Sequence, residues 1–386
     1  MYITSTDKLN EFCDNLQSAE VLVVDTEFVR ERTYFHRIGL IQVGGGEHFA
    51  AIDPIALPDM TPLLELLKDP KKIKVFHAAR QDLEILVRLC GQVIPPVFDT
   101  QIAAALVGWG TQISFAKIVH KALGKKIHKS ETYTDWCRRP LSDNQIEYAI
   151  DDVRYLMPVY KKLVDRLTRM GRLEWVRGEV MDWEDPKTFA LPDPKKRFMK
   201  IKNLRSLKSR NLTVLQEIAA WREGEAVKRD CLAKAIVRDE TLLEIARKIP
   251  RDTKTLSGIR GMYQKEMSKG GVAILKAIET AMEVAEDDLI ELPESNGHAT
   301  TRGVEELLAA YVQIRSEELK IEPSVLADRK KIHSFVTHFE QKQDIEEHIL
   351  FQGWRKELIG IPMFSLLSGK MGLKIDPSGQ VCLISS

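Results

Sequence analysis

Four acidic residues and one tyrosine are spaced in a way that suggests metal-ion chemistry. Asp25 and Glu27 follow a short apolar run, and residues two apart in a strand point to the same face. Asp82 follows a second apolar run, and Asp152 lies one helical turn after Tyr148. Four carboxylates at one site repel each other and lose hydration, so such a set is usually kept to bind divalent cations.

Each acidic residue also has a purely structural interpretation. Asp25 and Glu27 fit a solvated strand end, and Asp82 fits the first turn of a helix. Asp99 stands at a similar junction between strand and helix, where we expect it to cap the helix. The metal site therefore requires a cleft in which the helix that carries Asp152 faces the end of the first strand.

Composition narrows the class of protein. The chain has 386 residues, with 57 basic and 56 acidic side chains and a net charge of +1, so it lacks the strongly basic character of a nucleic-acid coat protein. Its five cysteines are scattered and contain no Cys-x-x-Cys pair, which argues against disulfides and zinc. The first residues have neither the basic region nor the apolar region typical of a signal peptide, and no apolar run reaches the length of a membrane span. We expect a cytoplasmic protein.

The pattern of apolar runs divides the chain into domains. The first domain, residues 1–183, alternates strands and helices, which predicts an α/β fold with a mixed sheet flanked by helices. Gly44–Gly46 is expected to be a hairpin turn within it. Beyond it we expect a basic linker at 184–210, a helical domain at 211–285, an acidic linker at 286–301 and a second helical domain at 302–386.

The acidic motifs together resemble a known family. Residues 24–28, 77–82 and 148–152 resemble the three exonuclease motifs of the DEDD superfamily, in the variety with a tyrosine before the last aspartate, and in particular the ribonuclease D family. The resemblance implies a ribonuclease H-like 3′-5′ exonuclease domain with a mixed five-stranded sheet. Residues 211–285 resemble an HRDC domain, and residues 302–386 resemble a divergent second copy, which implies two small all-α domains.

The resemblance also implies a mechanism. Two divalent ions, Mg²⁺ or Mn²⁺, are expected, with Asp25 bridging both. Glu27 and Asp152 would complete the site that activates water, Asp82 would serve the second ion, and Tyr148 would orient the water. The expected substrate is RNA with a free 3′ end, in particular precursor tRNA, which a monomer would shorten by one nucleoside 5′-monophosphate at a time.

Residues expected to contact RNA are less sharply defined. The set comprises Phe28, His77, Arg80, Gln81, Lys195, Lys196 and Arg197, together with a basic loop of Lys125, Lys126, His128 and Lys129. A place in the protein core suits Phe28 better than stacking on a base and suits His77 as well as RNA contact, and runs of cations are often only solvated surfaces. Two other functions remain open: a 3′-5′ DNA exonuclease, because DNA shares the phosphodiester, and a non-catalytic RNA-binding scaffold.

Overall fold

The computed structural model describes residues 1–127, 134–292, 301–377, 379 and 381–385. The chain forms two compact units. The first contains Met1–Glu27, Ile38–Phe189 and Gly297–Ser386, and the second contains Phe28–Arg37 and Ala190–Asn296. In the described residues, no helix combines the length and the apolar character that crossing a membrane would require.

The first unit is built on a mixed sheet whose strand order is β1-β4-β3-β2-β5-β6. Its strands are β1 (Tyr2–Ile3), β2 (Val21–Val29), β3 (Arg37–Gly45), β4 (His48–Ile52), β5 (Ile73–Phe76) and β6 (Val97–Asp99). Strands β2, β5 and β6 are parallel, whereas β3 and β4 form the expected antiparallel hairpin. Its turn is shorter than predicted and consists of Gly46 and Glu47, because Gly44 and Gly45 pair with Phe49 and His48 as part of β3.

The sheet has six strands, not the five that the resemblance implied. The additional strand is β1, in which Tyr2 and Ile3 pair in parallel with Ala51 and Ile52 of β4. Two residues are too few to show an alternating pattern, so only their pairing with β4 identifies them as a strand.

Helices cover both faces of this sheet. They are α1 (Thr6–Asn15), α2 (Thr61–Lys68), α3 (Arg80–Cys90), α4 (Thr100–Leu106), α5 (Phe115–Leu123), α6 (Asp143–Arg169) and α7 (Leu173–Val180). Successive side chains of β2 enter different cores: Leu22 and Val24 pack on one side of the sheet, and Val23 packs on the other with residues of α4 and α6. Asp25 and Glu27 continue the alternation of Val23, so they belong to the face that α6 covers.

The C-terminal part of the first unit contains a small sheet in addition to helices. Its elements are α13 (Thr301–Leu319), α14 (Pro323–Leu326), α15 (Arg329–Glu340), α16 (Ile361–Leu367), β7 (Met371–Ile375) and β8 (Val381–Ser385). The all-α prediction for residues 302–386 was therefore wrong at its end, where β7 and β8 pair antiparallel. Met371, Leu373 and Ile375 alternate with polar or small residues, which favours a strand over a helix.

This C-terminal part is joined to α7 by a polar and aromatic contact. The guanidinium of Arg355 donates hydrogen bonds to both carboxylate oxygens of Glu179, one of them at 2.8 Å. The indole nitrogen of Trp354 donates to the same carboxylate at 2.9 Å, and its ring stacks on Trp175 with centroids 4.5 Å apart. The C-terminal part of the first unit is thus held to α7 by polar and aromatic side chains that are largely shielded from solvent.

The second unit is helical, as predicted. It contains α8 (Ser209–Lys228), α9 (Ala233–Ile236), α10 (Asp239–Lys248), α11 (Thr253–Ser257) and α12 (Gln264–Glu283). Part of the segment expected to be a basic linker folds here as well, because Phe198 and Ile201 are buried in the core of this unit. Arg210, at the end of the basic run, donates to the carbonyl oxygens of Ala281 and Val284 at 3.1 and 2.6 Å.

Candidate active site

The cleft that the metal site requires is present. Asp25 and Glu27 from β2 and Asp152 from α6 each offer a carboxylate oxygen, and these three atoms lie within 4.8 Å of one another. Because side chains alternate along β2, Asp25 and Glu27 both point toward α6, and Asp152 lies on the side of α6 that faces β2. The structure thus brings together three of the predicted metal ligands.

Local sequence explains the position of α6. Ser142 and Gln145 form a capping box at the start of α6: the backbone nitrogen of Ser142 donates to the Gln145 side chain at 2.8 Å, and the backbone nitrogen of Gln145 donates to the Ser142 hydroxyl at 3.3 Å. Ile150, Val153 and Met157, which share one side of α6, are buried. This packing leaves the opposite side of the helix facing the strand end.

Tyr148 lies next to Asp152 in the cleft. Its hydroxyl donates a hydrogen bond to the Asp152 carboxylate. Its ring packs against Trp136, with the ring centroids 6.2 Å apart. The phenol is therefore fixed both by its oxygen and by its ring, which is the arrangement expected of a residue that orients another group.

Asp82 lies beside the group formed by Asp25, Glu27 and Asp152 but does not belong to it. It lies in the first turn of α3 and is buried, and the hydroxyl of Thr26 donates to it. Thr26 stands between Asp25 and Glu27 in sequence, so one short segment provides two of the carboxylates and binds Asp82. Asp99 caps α4 as expected, accepting hydrogen bonds from two backbone nitrogens of the first helical turn.

The acidic residues raise each other's affinity for protons. Burial, and then the charge of Asp152, raises the pKa of Asp25 well above its usual value. Burial and the charges of Asp25, Asp152 and Asp82 raise the pKa of Glu27 to about 9. Burial and the charge of Asp25 also raise the pKa of Asp82, and burial and Asp152 raise the pKa of Tyr148. These pKa values are raised in part because the ionised carboxylates repel one another. A divalent cation bound between them would relieve the same repulsion, so the site favours such a cation.

The donor set fits hard divalent cations. All the candidate ligand atoms are carboxylate oxygens, and the described residues place no histidine or cysteine in the group. Oxygen-only ligands select magnesium, manganese or calcium over zinc. The site therefore fits the use of a divalent metal.

The carboxylates open into a cavity of about 710 Å³. Several of its lining residues lie on one stripe of α6, and sequence reasoning selected only Tyr148 and Asp152 from that stripe. Four other residues of α6 line the cavity and were not predicted from the sequence, although the helical repeat places them on the same side as Tyr148 and Asp152. They are Asn144, Glu147, Asp151 and Tyr155.

His77 lines the same cavity and makes hydrogen bonds that hold the loop containing Ile113. One ring nitrogen lies 3.0 Å from the Thr100 hydroxyl, and the other lies 3.0 Å from the carbonyl oxygen of Ile113. The side chain of Gln101 donates to the same carbonyl at 3.1 Å, and Phe115 packs its ring edge-on to His77. His77 thus positions the wall of the cleft that carries Phe115.

The structure separates the other residues predicted to contact RNA. Arg80 donates to the carbonyl oxygen of Thr188 at 3.0 Å and lies over the ring of Phe189, whereas Gln81 is exposed. Phe28 is partly buried, with its ring 4.7 Å from that of His36.

The predicted basic segments also differ in how they are used. Lys195 pairs with Glu217, and Arg197 pairs with Glu223 at 2.8 Å, whereas Lys196 is exposed. In the basic loop, Lys126 lines the cavity and Lys125 lies over the ring of Tyr155. His128 and Lys129 lie outside the described residues.

Two parts of the chain match models of known protein families. Residues 1–168 match the family model described as a 3′-5′ exonuclease, and residues 211–278 match that of the HRDC domain. The predicted second HRDC-like domain stays a prediction. The catalytic core of RRP6 from Trypanosoma brucei, 23% identical with a TM-score of 0.57 over 73% of this chain and 79% of that one, shares the fold.

Similarity to ribonuclease D extends over nearly the whole chain. Ribonuclease D of Granulibacter bethesdensis is 36% identical over 388 residues, covering 100% of this chain and 96% of that protein. Ribonuclease D of Bartonella henselae is 35% identical, covering 97% and 91%. The crystal structure of Escherichia coli RNase D, an exoribonuclease involved in structured RNA processing, is 33% identical with a TM-score of 0.84, covering 96% of this chain and 98% of that one. Identity at this level over full length shows that the chain belongs to the ribonuclease D family.

Proposed function

We propose that this chain is a 3′-5′ exoribonuclease that trims the 3′ extensions of precursor tRNA and other small structured RNAs, releasing nucleoside 5′-monophosphates. The observation that carries the proposal is the group formed by Asp25, Glu27 and Asp152, whose oxygens lie within 4.8 Å of one another at the base of an open cavity. The family supports RNA as the substrate, because the relatives are named ribonuclease D.

We propose that the cleft holds two ions, Mg²⁺ or Mn²⁺. Asp25, Glu27 and Asp152 would hold one of them, and Asp82 together with Asp25 would serve the other, since Asp82 lies outside the close group. Such ions, when bound, lower the pKa of water and stabilise the departing 3′ oxygen of the phosphodiester.

The side chains of the protein would orient the reactants. Tyr148 keeps its proton at neutral pH, because burial and Asp152 raise its pKa, so it would act as a hydrogen-bond donor to Asp152 and to the attacking water. Thr26, by donating to Asp82, would hold that carboxylate in one rotamer. His77 and Gln101 would keep the Phe115 wall of the cavity in place, so that the terminal nucleotide enters in one orientation.

Neither alternative function has a specific observation in its favour. A scaffold without catalysis would not need three partly buried carboxylates at one place, where mutual repulsion contributes to the raised pKa values of Asp25 and Glu27. A DNA exonuclease would use the same ions, so a comparison of RNA and DNA substrates is needed to distinguish it from an exoribonuclease. We also propose that the protein acts as a monomer in the cytoplasm, which agrees with five cysteines that are all free.

A time course on a 3′-extended tRNA, with magnesium and with a chelator, tests this function. We expect stepwise shortening to the mature length with magnesium, none with the chelator, and much slower hydrolysis of a matched DNA strand. Asp25→Asn should abolish release, whereas Asp165→Asn, an exposed acid on the same helix as Asp152, should not. Equal rates on RNA and DNA would contradict the assignment to RNA, and full activity of Asp25→Asn would contradict the assigned site.

A further inference from the structure

Arg139 precedes the helix that carries Tyr148, and its guanidinium is bound entirely within the protein. It belongs to residues 134–141, which form neither helix nor strand. Its Nε and one terminal nitrogen donate to the two carboxylate oxygens of Asp53 at 2.6 and 2.7 Å. The other three N–H groups donate to backbone carbonyl oxygens at 2.6, 2.8 and 2.9 Å, which belong to Gly39, Trp136 and Arg138. All five donors of the side chain are thus used, and none is left for a phosphate.

Asp53 is a rigid anchor for this guanidinium. It directly follows β4, and its side chain is 1% exposed. Its carboxylate also accepts hydrogen bonds from the Tyr2 hydroxyl at 2.5 Å and from the backbone nitrogens of Ile55 and Ala56 at 2.9 and 3.2 Å. A buried carboxylate with this many donors is held in one orientation, so Arg139 is fixed relative to the sheet.

The same bonds place Trp136 against the sheet. Its carbonyl oxygen accepts from Arg139, and its backbone lies so close to Gly39 of β3 that a Cβ atom on this glycine would be 2.4 Å from that oxygen. Trp136 is buried in one core cluster with Leu40 of β3 and Ile150 of α6. Because residues 134–141 form no helix or strand, the position of the indole depends on these side-chain bonds and on this close approach.

Trp136 supports the Tyr148 ring without forming part of the cavity wall. Among the described residues, those that line the cavity include Tyr148 but neither Trp136 nor Arg139. The centroids of the indole and phenol rings are 6.2 Å apart, and the phenol hydroxyl donates to Asp152. The hydroxyl lies at the far end of the phenol ring, so a shift of the indole that lets this ring turn also moves the oxygen.

We propose that Arg139 is a positioning residue for Tyr148: by holding the carbonyl group of Trp136 it keeps the indole against the phenol ring and so fixes the hydroxyl in the cleft. An arginine near a nuclease site would ordinarily be assigned to a phosphate, but Asp53 balances its charge and its donors are all used. A displacement of about 1 Å at a group that orients a reactant can lower a rate about 100-fold. The inference rests on the proposed function, since it takes Tyr148 as the residue that orients the attacking water.

A double-mutant cycle in the full chain tests this role. Arg139→Lys keeps a positive charge opposite Asp53 but loses the planar group with five donors. The rate of mononucleotide release from a saturating 3′-tailed RNA in magnesium is measured with and without Arg139→Lys, first in the unmodified chain and then in Tyr148→Phe. We expect Arg139→Lys to lower the rate roughly tenfold or more in the unmodified chain. In Tyr148→Phe it should lower the rate less than about twofold, because the hydroxyl that it positions is already absent.

A role in folding alone predicts a different result. Fewer folded molecules or displaced metal ligands would lower the rate by the same factor in both backgrounds, and equal factors would overturn the proposal. Trp136→Phe leaves the backbone carbonyl in place and shortens the supporting ring, so it should show the same dependence on Tyr148. This second variant tests the proposal even where Arg139→Lys does not fold.

Arg172→Lys is the matched control. Arg172 is also buried, and it donates to the carbonyl oxygens of Leu106 and Leu319 at 2.9 and 2.8 Å, so its replacement should change the rate less than about twofold. RNA affinity in chelator should be unchanged in Arg139→Lys; a tenfold loss of affinity with an unchanged rate for the bound RNA would overturn the proposal and make Arg139 an RNA contact. Release of mononucleotides by the unmodified chain, and its loss in Asp25→Asn, is measured separately, so failure of the nuclease assignment is distinguishable from failure of this role.

Discussion

Replacing Tyr148 by phenylalanine removes one oxygen from the cleft and little else. The ring packs beside Trp136, and phenylalanine keeps that packing. The hydroxyl that the change removes donates a hydrogen bond to Asp152, which is one of the three clustered carboxylates. The fold and the metal ligands should therefore survive in Tyr148→Phe, and the change isolates the orienting role of the hydroxyl.

The size of the effect follows from the kind of hydrogen bond. A hydrogen bond to a charged group contributes about 1.5–3 kcal/mol. At about 1.36 kcal/mol for each factor of ten, its removal from the transition state lowers the rate by roughly 10- to 150-fold. The decrease should appear in kcat, because substrate binding does not depend on this oxygen in the proposed mechanism.

The assay is single-turnover release of 5′-mononucleotides from a 3′-tailed RNA between about pH 6 and 10. Because the pKa of Tyr148 is raised above its ordinary value of 10.0, the phenol keeps its proton over this range in the unmodified chain. The pH profile of Tyr148→Phe should therefore have the same shape at a lower rate. Tyr160→Phe, a half-buried tyrosine on the same helix but outside the cleft, is the control and should act within about twofold of the unmodified chain.

Two results would refute this reasoning. An unchanged rate in Tyr148→Phe would mean that the hydroxyl orients nothing. A rise of rate with pH that is present in the unmodified chain and absent from the variant would identify Tyr148 as a general base, in conflict with the raised pKa.

Three further outcomes are expected. Asp152→Asn should abolish magnesium-dependent release while RNA affinity changes less than about twofold; full turnover would remove Asp152 from the site. Because the pKa of Glu27 is raised to about 9, a cation that binds at pH 7 must displace a proton, so apparent manganese affinity should rise as pH rises from 7 toward 9. Calorimetry in buffers of different ionisation enthalpy counts the protons, and pH-independent affinity would contradict the raised pKa. Glu179→Gln leaves the guanidinium of Arg355, 7% exposed, without its charged partner and should cost about 3 kcal/mol of unfolding free energy, measured in urea. Glu174→Gln on the same helix should cost nearly nothing, and equal stability of both variants would mean that the ion pair does not stabilise the protein.

Much of the nuclease fold was predictable because its signals are local. The apolar runs of β2, β3, β4 and β5, the hairpin turn at Gly46 and the capping box at Ser142 depend on neighbours within a few residues. β1 and the C-terminal hairpin were missed for different reasons. Strand β1 is too short to show an alternating pattern. The residues of the C-terminal hairpin do alternate, but the resemblance of this region to a helical domain led to an all-helical prediction.

The sequence by itself determined the chemical types at the site and the elements that carry them. Asp25 and Glu27 must share a face of a strand, and Tyr148 and Asp152 must share a face of a helix, since backbone geometry alone requires both. Their meeting in one cleft depends on the packing of α6 against the sheet, which brings Asp152 within 4.8 Å of the others and leaves Asp82 beside them.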